Sequence, residues 1–172
     1  MLRILNHKDL DQFLQIRQDS LRFNPEAFGA SATEKIDREQ TRQNLKNNSE
    51  ENFIFGYFEE QQLLGIAGFI RHQRAKARHK GFIWGVFVYP EQRGKGIGRA
   101  LMLACLEKAQ QIVGLEKINL SVMAVQRRAL RLYQQLGFEI YGVEKGSRKV
   151  IGRYYDEVLM AKQLEAKGNR EK

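Results

Sequence analysis

Apolar positions along this chain repeat with two periods, and the periods alternate. Leu2-Arg3-Ile4-Leu5 reads as a short first strand. Leu10, Phe13, Leu14 and Leu21 then fall at helical spacing, with Arg17 on the same stripe. An arginine there either snorkels from the helix edge or faces a cleft. Asn24-Pro25 ends the helix, because a residue before proline is pushed out of helical backbone. Residues 34–47 read as a second, polar helix lying against the surface, with Ser31 or Thr33 as its N-cap. Residues 52–58 and 63–70 alternate around a polar turn and predict an antiparallel hairpin.

The second half is punctuated by glycine. Phe82-Ile83-Trp84-Gly85-Val86-Phe87-Val88 is an apolar run of strand length. Leu101, Met102, Cys105, Leu106, Ala109, Ile112 and Val113 form the clearest helical stripe in the chain, and Gly114 stands where a C-cap belongs. Residues 117–123 predict a strand, and residues 126–136 a helix closed by Gly137. Residues 138–143 and 153–160 predict the last two strands. Strand, two helices, three strands, helix, strand, helix, two strands is the order of an α/β protein with a mixed, mostly antiparallel sheet and helices on both faces. One domain over 1–163 and a charged, disordered tail over 164–172 are expected.

Composition narrows the setting. The 172 residues are enough for one sizeable core. The lone cysteine, Cys105, lies on the apolar stripe, so it belongs to the core rather than to catalysis and implies a reducing compartment. No signal-peptide pattern follows Met1, and no apolar run reaches membrane-spanning length, so a cytoplasmic protein is expected. The net charge of +9 favours anionic partners. Five Lys/Arg and two His crowd into 71–80 without an interleaved aromatic. That run makes a poor stacking platform, so nucleic acid is disfavoured and a solvated loop is the default. Its histidines lack acidic or cysteine neighbours at ligand spacing, so no metal is expected.

The chemistry concentrates at Arg93-Gly94-Lys95-Gly96-Ile97-Gly98, between a strand and a helix. Glycines there expose backbone N–H groups, and the helix start adds partial positive charge, so the turn suits a multiply charged anion such as pyrophosphate. A dinucleotide fingerprint fails because Arg99 stands where its third glycine belongs. A P-loop fails because Gly98 is followed by Arg99 and Ala100.

The spelling from Val88 to Gly98 resembles the acetyl-CoA-binding motif of the GNAT superfamily of N-acetyltransferases. A second segment, Ala129-Leu130-Arg131-Leu132-Tyr133-Gln134-Gln135-Leu136-Gly137-Phe138, resembles that superfamily's A-x-x-L-Y-x-x-x-G-F. Element order also resembles the GNAT fold from Leu2 to about residue 160. The resemblance implies an acetyl-CoA-dependent N-acetyltransferase, with acetyl-CoA as co-substrate and a primary amine of a small molecule or protein N-terminus as acceptor. The other class kept open is a non-catalytic CoA-binding or RNA-associated module. A homodimer is compatible with either.

The resemblance also distributes roles. A splayed strand would grip the thioester arm through the backbone of Val86, Phe87 and Val88. The pyrophosphate would lie on Arg93, Gly94, Lys95, Gly96, Ile97, Gly98 and Arg99, with Lys95 and Arg99 either adding charge or solvated. Tyr133 matches the usual acid for the departing thiolate. Gln126 replaces an asparagine that commonly holds the pantetheine arm. Ser121 stands where some members carry a glutamate base. That leaves His72, Asp156, Glu157 or a water relayed through Ser121 as candidates to take the amine's proton.

Overall fold

The computed structural model describes residues 1–29 and 36–165. Its strands are β1 (Leu2–Ile4), β2 (Asn52–Glu59), β3 (Gln62–Arg71), β4 (Lys80–Val88), β5 (Lys117–Met123), β6 (Glu139–Val150) and β7 (Arg153–Gln163). The α-helices among the described residues are α1 (Leu10–Phe23), α2 (Arg38–Lys46), α3 (Ile97–Ala109) and α4 (Arg127–Gln135). The strands form one sheet in the order β1-β2-β3-β4-β5-β7-β6. All neighbours are antiparallel except β4 and β5, which run parallel. This is the mixed α/β sheet expected from the apolar periods.

The sheet separates two cores, one on each face. On one side, Leu101, Met102 and Cys105 of α3 and Tyr133 of α4 pack on Phe53, Ala67, Phe69 and Ile83. On the other, Leu10, Phe13 and Ile16 of α1 and Leu45 of α2 pack on Ile54, Ile66 and Phe87. Phe53 and Ile54 are consecutive yet belong to different cores, as strand alternation requires. Cys105 is fully buried, and burial pushes its thiol up to about 12, so it is an inert core residue.

Several boundaries differ from the sequence-based expectation. Helix α2 starts at Arg38, not near residue 34, and its N-cap is Asp37, whose carboxylate accepts from Gln40 N–H. Ser31 and Thr33 lie outside the described residues. Helix α3 begins at Ile97, inside the glycine turn, and ends at Ala109. Gly114 therefore does not cap it; Ile112 is buried by the tight turns that follow, while Val113 is exposed. Strands β6 and β7 extend well past the predicted 138–143 and 153–160. Leu164 is tied to the sheet by a bond to the Glu116 carbonyl. The rest of the expected tail, from 166, lies outside the described residues.

One polar knot pins β1 to the start of α1. Asp9 is 6% exposed and accepts two bonds from Arg3, at 2.7 and 2.6 Å, and one from Asn6 N–H. The Arg3 bonds hold the Asp9 carboxyl below the usual range, against the opposing effect of burial. A carboxyl depressed in the folded state stabilises the fold above its unfolded pKa, about 3.9. That contribution disappears as pH falls through the lower folded value. Acid melting curves are expected to show wild type losing its margin over Asp9→Asn below about pH 4, and keeping it at neutral pH.

Candidate active site

The site begins at an irregularity in β4. Trp84 pairs with Gly68 and Phe87 with Ile66, so Gly85 and Val86 together face the single residue Ala67. That is a β-bulge, and Gly85 occupies it with φ of 64°. The extra residue resets the alternation. Ile83 and Val86 pack on one core, Trp84 and Phe87 on the other. Around this bulge β4 is also parted from β5. The two strands pair only through Lys80–Phe82 with Lys117–Asn119, and the β5-facing backbone of the remaining β4 residues has no ladder partner.

A cavity of about 880 Å³ opens in this gap. Val86, Phe87 and Val88 line it, as do Arg93, Gly94, Gly96, Ile97, Gly98 and Arg99. Gly94 and Gly96 both have φ of 82°, a left-handed conformation that other residues adopt only with strain. A Cβ on either would meet nothing within 4 Å, so the missing side chains leave open space over the turn. Behind it, α3 has no side-chain cap and no acid in its first turn. A helix start left open in this way accepts an anion. Arg93 fastens the turn, donating to the Val88 carbonyl and to Asn24 Oδ1, each at 3.0 Å. Lys95 differs from the other residues of the motif. Its ammonium donates to Gln92 Oε1 at 2.7 Å, and it does not line the cavity.

Helix α4 supplies the opposite wall. Tyr133 lines the cavity, 5% exposed, and meets Phe138 edge to face at 6.2 Å. Burial pushes its phenol above the ordinary value, so the hydroxyl keeps its proton at neutral pH. Gln126 lies at the head of α4, lines the cavity and donates to Glu26.

Three groups were not foreseen. Arg127 and Arg128 line the cavity from the first turn of α4. Burial, and then the nearby Arg128, pull Arg93 below the usual arginine value, so these cations crowd one end of the cavity. Two cations at a helix start oppose the helix dipole, and that local conflict was the available signal of an anion there. The third group, Arg148, reaches the cavity from β6, in the stretch between the strands predicted at 138–143 and 153–160.

Arg17 faces the cavity, which settles the open choice about it. Its guanidinium lies over the rings of Phe28 and Trp84 at 5.3 and 5.8 Å, and burial pulls it below the usual arginine value. Among the candidates for accepting a proton, His72 and Asp156 do not line the cavity. Asp156 is taken up by Lys145 at 2.8 Å and by Gly146 N–H. Glu157 lies behind the cavity-lining Ser121. Burial works against its charged form, but the Ser121 and Ser147 hydroxyls and Arg148 outweigh it and hold the carboxyl below the usual range. The basic run at 71–80 is partly neutralised, because Arg71 and Arg78 both pair with Glu51, at 2.8 and 2.7 Å.

The model of the Acetyltransferase (GNAT) family matches residues 11–138, most of the chain. This protein belongs to the GNAT family. It is an acyltransferase that uses acetyl-CoA. Acetyltransferase PseH of Campylobacter jejuni is 27% identical over 144 residues, covering 81% of this chain and 75% of that protein. A GNAT-family acetyltransferase structure from Streptococcus pneumoniae superposes with a TM-score of 0.86 at 22% identity, covering 95% of this chain and 99% of that one. The structure of yncA from Salmonella typhimurium, solved with its cofactor acetyl-CoA, superposes with a TM-score of 0.82 at 19% identity, covering 98% and 95%. The cavity suits such a ligand: an open glycine cradle and an uncapped helix start lie at one end, and unpaired strand backbone runs from it. Among the described residues no helix is long and apolar enough to cross a membrane, and no three metal-ligating side chains converge.

Proposed function

We propose that this GNAT protein transfers an acetyl group from acetyl-CoA to a primary amine of a small molecule or a protein N-terminus, by direct attack within a ternary complex. The observation that carries this reading is a single cavity running from the glycine turn, along the freed backbone of β4, to Tyr133. When bound, acetyl-CoA supplies an activated acetyl group.

The protein's own residues do the rest. Backbone N–H groups from Gly94 to Arg99 hold the pyrophosphate, with Arg93, Arg99, Arg127 and Arg128 balancing its charge. The freed backbone of residues 86–88 holds the thioester arm and orients its carbonyl. Gln126 closes on the arm from the head of α4. Tyr133 donates its proton to the departing thiolate sulfur. Ser121, backed by the anionic Glu157, faces the incoming amine and steadies its positive charge while the proton leaves to water. The glutamate's depressed pKa suits it to that electrostatic part better than to storing the proton. A cytoplasmic setting belongs to the proposal and rests on Cys105 remaining a thiol.

Thiol release from acetyl-CoA, measured across amino acids, aminoglycosides, polyamines and N-terminal peptides, tests the reading. Turnover is expected with one class. Tight CoA binding with no turnover on any class would instead mark a binding module.

A further inference from the structure

We propose that the acceptor is a small amine that also carries a carboxylate, of the α-amino-acid class, and that Arg17 binds this carboxylate with Arg148 at its side. This deepens the acetyltransferase reading and rests on it. The starting observation is a cation without a counterion. Arg17 Nη1 is buried with no hydrogen-bond partner, and Arg17 makes no ion pair among the described residues. A guanidinium withdrawn from water without an anion is costly to keep, and aromatic faces offset part of that cost. An apolar residue would fill the same stripe of α1 at no such penalty. The charge therefore calls for an anion that arrives with a ligand.

That anion is not the pyrophosphate. A Cβ built on Gly85 would lie 3.3 Å from Arg17 Nη1, which fixes the guanidinium at the bulge of β4. Gly85 precedes Val88 by three residues, about 10 Å of strand, and the glycine turn lies further on. The turn has its own cations. Arg17 thus serves the other end of the cavity, where the strands are just parting.

Arg148 joins it there. Its Nε is also buried without a partner, and its Nη1 lies 3.1 Å from where a Gly29 Cβ would sit. Phe28 stacks under Arg17 and Gly29 abuts Arg148, so consecutive residues bring the two guanidiniums to one wall. Arg148 shares its charge with Glu157 at 3.3 Å, which leaves Arg17 as the unneutralised member. Ser121 and Glu157 add a negative pole beside this positive one. A zwitterion fits that pairing: ammonium toward Ser121, carboxylate toward Arg17. A planar guanidinium matches a carboxylate in two parallel bonds. A polyamine would meet the cations with no anion of its own.

The test uses the twenty common L-amino acids, the corresponding L-amino acid amides and 1-aminoalkylphosphonates in the thiol-release assay, with wild type, Arg17→Met and Arg17→Lys. Wild type is expected to prefer at least one acid over its own amide by about 100-fold in kcat/KM, the size of a lost charge-assisted bond in a desolvated site. Arg17→Met is expected to bring that ratio near one, with the Kd for acetyl-CoA within about twofold and the melting temperature unchanged or raised, because an unpaired buried charge is gone. Arg17→Lys should recover part of the preference. Amides or N-terminal peptides preferred over free acids, or an acid-to-amide ratio unmoved by Arg17→Met, overturn the proposal and leave the acetyltransferase reading standing. Preference for phosphonates overturns the carboxylate assignment. If nothing turns over, calorimetry of N-acetyl-L-amino acids with the CoA-bound protein decides: binding lost in Arg17→Met supports the proposal, and no binding to wild type overturns it.

Discussion

Tyr133→Phe is expected to lower kcat by about 10²- to 10⁴-fold, the range for loss of a positioned general acid, while acetyl-CoA binds within about twofold of wild type. The ring is retained, so the edge-to-face packing on Phe138 and the wall of the cavity survive. What disappears is the hydroxyl. Burial raises the phenol's pKa, so Tyr133 stays protonated across the working range and should impose no alkaline limb on kcat below about pH 10. Burial weakens the phenol as an acid, but a thiolate released into the same dry cavity is also made more basic. The donor and the acceptor therefore remain matched. Steady-state kinetics with acetyl-CoA and the acceptor found in the thiol-release assay reads the split between kcat and binding. Full turnover by the variant would remove Tyr133 from the mechanism.

Gly96→Asp is expected to weaken acetyl-CoA binding by at least about 100-fold, whereas Gly96→Asn weakens it by about 10-fold. Both substitutions put a side chain on a residue with φ of 82°, a strain of about 1–2 kcal/mol that Asn and Asp tolerate better than most residues. Both enter space that is now open, so neither collides with the fold. They differ in charge. A carboxylate at the head of α3 occupies the helix-dipole position intended for phosphate and repels the phosphates directly. Calorimetric titration with acetyl-CoA measures the two losses. Equal losses would mean that the turn acts by shape and not as an anion cradle.

The legible parts of the chain were those with a local signature. Apolar periods located the helices and strands that bury one face, and the glycines at 94, 96 and 98 marked the turn whose backbone lines the cavity. Strand β6 beyond Val143 was not legible. Its residues, Glu144-Lys145-Gly146-Ser147-Arg148-Lys149, have no apolar face, because this edge strand is held by backbone pairing with β7 rather than by burial. Arg148 was missed with it. The apolar stripe starts later and runs further than helix α3 itself, since the first turn of α3 lies within the glycine motif and Ile112 is buried by the turns after Ala109. Arg17 shows the remaining limit. Its departure from an apolar stripe was visible, but its direction depends on Trp84, Phe28 and Gly85, which come from other parts of the chain.

The bulge at Gly85 makes strand length a functional quantity. Replacing a residue in β4 changes one contact. Deleting Gly85 would remove the extra residue and restore one-to-one pairing with β3, with Val86 opposite Ala67 and Phe87 still on the α1 core. The same deletion would let β4 continue alongside β5 and zip the cavity shut. A lineage carrying this fold can therefore vary the spelling of β4 freely while its residue count stays fixed, and a one-residue gap in this strand would mark a relative that has left acetyl transfer behind.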